Sequence, residues 1–301
     1  MQKVGFVGIG KIGLPICANL IKSGYAVVGY RRSSLAEFEA LGGIAARSPA
    51  EVSAQTDIVF TCLPDAAALE EVMRGPHGLV AAARNNQVVV ELGSHPLSVK
   101  QRYIAPLADK GVVFLDGEVS GTPGMVAQRK GVIYLGGPAA AVTRVEPIVA
   151  GFADLCMHLG AFGSATKVKL VNNLLVALHI AGTAQAMAIG LKTGVDPGLL
   201  IKAVAQGSGG STQFAIRAPW MAERRFMPQQ GAAAVLGHYL EGCKALAHEV
   251  GVPTPLLDCL VDVYERATPG IGDRDVAAII EFFEAGSPAK SKQASQQEHT
   301  T

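Results

Sequence analysis

Lys169 and Asn173 stand four residues apart in the run Lys167-Val168-Lys169-Leu170-Val171-Asn172-Asn173. That spacing puts both on one face of a helix. Reduction of a carbonyl needs a proton donor beside the oxygen that gains charge as hydride arrives, and a group that fixes that oxygen's direction. A lysine supplies the first and a carboxamide the second, so Lys169 reads as a general acid/base and Asn173 as its orienting partner. An ordinary lysine titrates near 10.4, and desolvation or a nearby positive charge brings it closer to neutrality. Spacing alone also fits a solvated charge in a first helical turn.

A second stretch, Asp116-Gly117-Glu118-Val119-Ser120-Gly121-Thr122-Pro123-Gly124, follows an apolar strand pattern, Val112-Val113-Phe114-Leu115. Open α/β sheets bind ligands at that edge. The small residues Ser120, Gly121 and Thr122 offer backbone N–H groups and hydroxyls to a substrate carboxylate, as anion nests do. An ordinary strand-to-helix turn fits the same residues.

A third stretch holds a dinucleotide. Val4, Phe6 and Val7 lead into Gly8-Ile9-Gly10-Lys11-Ile12-Gly13, then a helical pattern closes at Gly24 before Ala26-Val27-Val28. In such a strand–turn–helix the first glycine allows the turn, the second admits the pyrophosphate and the third lets helix pack on strand, with the anion at the helix N-terminus. About 20 residues on, where an NAD site offers a carboxylate to the ribose 2′-hydroxyl, this chain has Tyr30-Arg31-Arg32-Ser33. Two guanidiniums in place of an acid favour a 2′-phosphate, hence NADP, with NAD the less favoured partner. Arg32 also suits stacking on adenine.

These residues need a scaffold, and the composition supplies one. The chain has 301 residues, 49% hydrophobic and 17% charged, enough apolar surface for one large or two ordinary domains. A formal net charge of +1, without a long basic run, argues against nucleic acid and against a membrane surface as partners. Cys17, Cys62, Cys156, Cys243 and Cys259 are scattered without CxxC spacing, which fits buried reduced thiols and a cytoplasmic protein. The first strand begins almost at once, so no cleavable signal is expected. No metal site is expected either, since His77, His158, His179 and His248 lack ligand spacing. Asp65, Glu70 and Glu71 read as a solvated helix face.

Up to about residue 160, β-rich runs (57–61, 87–90, 112–115, 132–135) alternate with helical patterns, the mark of a doubly wound, mostly parallel Rossmann-type sheet. Residues 164–285 read as an all-helical domain beginning with a long helix, with breaks at Asp196-Pro197, 207–210, Pro228, 251–255 and 269–272. The expected division is 1–163 for the dinucleotide, 164–285 for substrate and oligomerisation, and 286–301 as a polar disordered tail. Leu174 to Leu191 has no charged residue. Its length suits a membrane span, but its polar residues favour a soluble helix buried on nearly all sides. Such a helix needs neighbours that one small domain does not supply.

Taken together these residues resemble the β-hydroxyacid dehydrogenase family, which includes 3-hydroxyisobutyrate dehydrogenases and tartronate semialdehyde reductases, over residues 1 to about 285. In that family the substrate-carboxylate stretch runs D-x-P-V-S-G-G, and the signature G-x-G-x-x-x-K-x-x-N-N falls on Gly163 to Asn173, which makes Lys169 the counterpart of the catalytic lysine. The resemblance also implies cofactor contacts from Leu63-Pro64 and from Ser94, which lies where the family has D-x-S-T. It implies a short 3-hydroxy acid and its semialdehyde or keto form as substrates, and a homodimer or homotetramer. Thr122 replaces a glycine, Ala165 replaces another, and Gly237-His238-Tyr239-Leu240 occupies the family's K-D-L segment, so an imidazole stands where a lysine meets substrate. Packing at a helix start is the plainer role for His238. Related imine reductases, and non-catalytic dinucleotide-binding scaffolds of the same fold, are the alternative functions; Lys169 counts against the first while His238 keeps it open, and Lys169 with Asn173 count against the second.

Overall fold

In the computed structural model, residues 1–285 are described; the tail expected over 286–301 lies outside them. Contacts divide the chain into one unit, Met1–Val171, and a second from Asn172. The division falls inside the long helix Ser164–Lys192 rather than at its start. Its first turns belong with the sheet because Thr166 and Lys169 bond to residues of the sixth strand.

The first unit is an eight-stranded sheet: β1 (Lys3–Val7), β2 (Ala26–Tyr30), β3 (Ile44–Ala45), β4 (Ile58–Thr61), β5 (Val88–Glu91), β6 (Val113–Ser120), β7 (Val132–Gly136) and β8 (Leu155–His158). Their order is β3-β2-β1-β4-β5-β6-β7-β8. All pairs are parallel except β6 with β7, which run antiparallel. Successive side chains of a strand face opposite sides, so Phe60 packs with Phe6, Ile16 and Leu20 on one face while Val59 packs with Val28, Leu69 and Met73 on the other. A parallel sheet covered on both faces follows. The chain crosses from β1 to β2 on one side and later to β4 on the other, which opens a crevice at the carboxyl ends of β1 and β4.

Two short strands, β3 and β8, carry no clear sequence signal. The 116–120 segment, read as a turn following a strand, is strand itself, paired from Asp116↔Gly136 to Ser120↔Val132. Its polar residues mimic a loop, yet Asp116 and Glu118 are buried.

The second unit is helical: after the long helix come Pro197–Gln206, Thr212–Glu223, Ala233–Glu249 and Pro255–Ile271, then a short turn and Ile280–Glu284. The helix Pro255–Ile271 ends within the break expected over 269–272, with Pro269 in its last turn and Gly272 following at a φ of +58°. Buried Asp275 organises the carboxyl-terminal part, accepting from Arg217 and from the backbone N–H of Gln230, Gly231 and Ala277.

The long helix departs from expectation. Ala177, Ile180, Ala184, Met187 and Ala188 form one buried face, but Val171, Leu175 and Ile189 are 54%, 50% and 62% exposed. It is long and apolar enough to cross a membrane by length and composition, yet less than half of its most apolar window is buried. Burial on nearly all sides is therefore not met within one chain.

Candidate active site

The crevice beside β1 and β4 is a cavity of about 670 Å³ lined by Gly8 to Gly13, Tyr30 to Ser33, Leu63 and Pro64. The sequence separates these three groups; the sheet joins them. A Cβ at Gly8, whose φ is +100°, would lie 2.2 Å from the Cys62 carbonyl oxygen, and one at Gly13 would lie 2.2 Å from the Gly8 oxygen. A Cβ at Gly10 meets no atom within 4 Å and would only fill space in the cradle. The helix Gly13–Lys22 begins here with no side chain capping it, which leaves N–H groups for an anion. These residues fit a dinucleotide.

Arg31 closes one side of the cavity. Its Nη1 donates to Ile9 O at 2.9 Å and its Nε donates to Ser34 O, so the guanidinium is tied to the glycine turn. Arg32 is exposed and lies 3.5 Å from the Glu71 carboxylate. Glu71, Arg47 and His77 also line the cavity; sequence reasoning missed all three, since they come from elements distant in the chain. Asp65 is not merely solvated, for it caps the helix Ala66–Arg74 through Ala68 N–H, and Glu70 accepts from the Tyr103 hydroxyl at 2.6 Å.

Lys169 occupies a second place, at the end of β6. It is buried while Lys167 is exposed. Its Nζ donates to Val119 O at 2.9 Å, which sets the ammonium next to Ser120. Burial pulls Lys169 below the usual lysine range, and the Glu118 carboxylate opposes that pull. Gly121 follows with a φ of +156°. Thr122 then caps the helix Pro123–Ala127, its Oγ1 accepting from Met125 N–H at 3.3 Å. That bond occupies a hydroxyl oxygen assigned to substrate, while its proton remains available as a donor.

Beneath Lys169 lies a cluster of buried charge that the sequence did not announce. Asp116, Glu118 and Lys100 are fully buried. Lys100 Nζ donates to Asp116 Oδ1 at 3.0 Å, to Gly117 O at 3.0 Å and to Glu118 Oε1 at 3.2 Å. Asp116 also accepts from Thr166 N–H at 2.8 Å and Thr166 Oγ1 at 2.6 Å, pinning the long helix to the strand. Ser94, expected at the cofactor, donates its hydroxyl to Glu118 Oε2 at 2.7 Å. Glu91, on the neighbouring strand, is pushed up to about 7, mainly by burial. The one signal available was Glu118 itself, standing where D-x-P-V-S-G-G has proline.

In the second unit Asn173 is buried, and its Oδ1 accepts from Asn172 Nδ2 at 3.1 Å. With that oxygen engaged, the Asn173 NH₂ is its donor end. One helical turn later, Ala177 O accepts from the buried Tyr264 hydroxyl at 3.2 Å. His238 is exposed rather than packed at its helix start, and it lines a cavity of about 390 Å³ with Tyr264 and Glu241. No group of three or more His, Cys, Asp or Glu suited to a metal ion occurs among the described residues. Of the cysteines, Cys259 is exposed and not buried as expected.

A glycine cradle on a doubly wound sheet, a buried lysine in the first turns of the long helix tied to that sheet, and a second unit that is all helical define a nicotinamide-dinucleotide oxidoreductase architecture. Residues 3–160 match the NAD binding domain of 6-phosphogluconate dehydrogenase, and residues 163–283 match the NAD-binding family of NADP-dependent 3-hydroxyisobutyrate dehydrogenase. The chain is 31% identical to the L-threonate dehydrogenase of Cupriavidus necator over 94% of its length and 96% of the relative's. It is 31% identical to the 2-(hydroxymethyl)glutarate dehydrogenase of Eubacterium barkeri, over 94% and 95%. A solved structure of Mycobacterium tuberculosis 3-hydroxyisobutyrate dehydrogenase with L-serine superposes with a TM-score of 0.84 at 25% identity, covering 94% of this chain and 99% of that one. The chain belongs to the β-hydroxyacid dehydrogenase family, NAD(P)-dependent oxidoreductases acting on CH–OH groups.

Proposed function

We propose that the protein interconverts a short 3-hydroxy acid and its semialdehyde or keto form, with NADP as cofactor and Lys169 as general acid/base. The observation that carries this reading is the burial of Lys169 with its Nζ on Val119 O, one residue from Ser120. When bound, the dinucleotide supplies the hydride acceptor or donor. In oxidation, neutral Lys169 takes the hydroxyl proton of the substrate; in reduction, its ammonium returns that proton to the carbonyl oxygen. Asn173 orients the oxygen by donating from its NH₂. Ser120, Gly121 and Thr122 hold the carboxylate through N–H and O–H donors. The named substrates of two relatives, L-threonate and 2-(hydroxymethyl)glutarate, are both hydroxy carboxylates, which supports an acid as substrate.

The test is an absorbance assay at the reduced nicotinamide band across short 3-hydroxy acids, semialdehydes, their amides and cyclic imines. Acids are expected to turn over, and their amides to lose about tenfold or more in kcat/KM, because a charge-assisted contact contributes roughly 1.5 to 3 kcal/mol. Equal turnover of an acid and its amide overturns the carboxylate role; turnover of cyclic imines alone replaces the whole reading.

The apolar stripe Val171, Leu175 and Ile189 supports assembly with further copies of the chain. A homodimer or homotetramer is expected in light scattering, and Leu175→Glu is expected to shift it toward monomer. A wild-type mass of one chain rejects this. The scattered cysteines, none joined in a disulfide among the described residues, support a cytoplasmic location.

A further inference from the structure

We propose that Glu118 is a positioning residue that holds Lys169 in its protonated form and sets the pH at which it exchanges its proton. This rests on the reading of Lys169 as the general acid/base. The argument begins with placement. Asp116, Glu118 and Ser120 alternate along one face of β6, and the first turns of the long helix are tied to that strand through Thr166 and Lys169. Lys169 Nζ rests on the carbonyl of the residue that follows Glu118.

A buried carboxylate is costly unless it is paired and hydrogen-bonded. Glu118 is both, held by Lys100 on one oxygen and by Ser94 on the other. Lys100, however, is shared: it also faces Asp116, and the three carboxylates Glu118, Asp116 and Glu91 together keep it charged against its own burial. One lysine does not neutralise two carboxylates. Lys169 is the second lysine that faces Glu118. Burial pushes Glu118 up, while Lys100 and then Lys169 pull it back. The titratable groups facing Glu118 are thus Lys100, Lys169 and Asp116, with Glu91 on the adjacent strand and His95 3.5 Å from Glu91.

The consequence concerns the direction of proton traffic. Burial alone would drive Lys169 toward the neutral amine and leave reduction without its proton. A fixed negative charge close by in a low-dielectric site restores the ammonium. The fixed charge here is Glu118, held in place by Lys100 and Ser94.

The experiment titrates Lys169 directly, on the full chain, by the ¹³Cε chemical shift of labelled lysine, assigned by its loss in Lys169→Arg. In Glu118→Gln the midpoint is expected to fall by about one pH unit or more, which is about tenfold in the protonated-to-neutral ratio at fixed pH. The pH profile of turnover is expected to move the same way. Glu118→Leu, which removes the carboxylate and leaves the Lys100–Asp116 pair in place, serves where the Gln variant does not fold; its midpoint is also expected to fall. A Lys169 midpoint unchanged in either folded variant overturns the proposal. Retained activity in Lys169→Ala instead overturns the lysine reading, whatever the midpoint does.

Discussion

Lys169→Ala is expected to lose turnover by roughly two to four orders of magnitude, the usual contribution of a general acid/base, while dinucleotide affinity and fold stay close to wild type. The cofactor cavity lies at β1 and β4, and Lys169 is at β6, so the substitution does not touch the glycine turn. Lys167→Ala is expected to retain nearly all activity, since that side chain is exposed two residues away. The pair separates a chemical role from a loss of local charge. The sign of the pH dependence follows from protonation: reduction needs the ammonium and declines as pH rises through the Lys169 midpoint, whereas oxidation needs the neutral amine and rises through it. Burial brings that midpoint below the ordinary lysine value, so both limbs are expected below about 10.4. Steady-state rates in both directions from pH 6 to 11 check this. Equal losses in the two alanine variants, or opposite limbs, would refute the assignment.

Much of this was legible in the sequence because it depended on local chain geometry. A strand, a G-x-G-x-x-G turn and a helix form within 30 residues, and Lys169 and Asn173 share a helical face whatever surrounds them. The 116–120 segment was harder, since Asp and Glu in a run of small residues look like a turn until β7 pairs with them and Lys100 neutralises them. Lys100 lies 16 residues from Asp116 along the chain, on a different element, and no periodicity links the two. Ser94 shows the same limit: its motif suggests a cofactor contact, but nothing local to it announces that its hydroxyl donates to Glu118, 24 residues on. The exposed stripe on the long helix was foreshadowed by its lack of charge, but which positions face outward depends on how one side is already covered.

NADPH is expected to bind more tightly than NADH, by about tenfold or more, if one well-placed charge-assisted contact reaches the 2′-phosphate. Arg31 is the stronger of the two candidates. Its bonds to Ile9 O and Ser34 O use two donors of the guanidinium's five, and a guanidinium already fixed in place loses less freedom when an anion arrives. Arg31→Asp is expected to reverse the ranking, because the new carboxylate repels the phosphate and accepts from a free 2′-hydroxyl. It also removes the tie to Ile9, so some loss is expected for both cofactors. Arg32 acts differently. It sits 3.5 Å from Glu71, and both line the cavity, so Arg32→Ala removes a cation and at the same time unmasks a carboxylate. NADPH is expected to weaken more than NADH in this variant, and the double variant Arg32→Ala with Glu71→Ala is expected to recover part of the difference. A merely stacking Arg32 would weaken both cofactors alike. Dissociation constants for the two reduced cofactors at one salt concentration, on wild type and these variants, discriminate the cases, since phosphate contacts are screened by salt. Wild-type constants equal within error overturn the NADP preference and leave the glycine cradle and Lys169 as they stand.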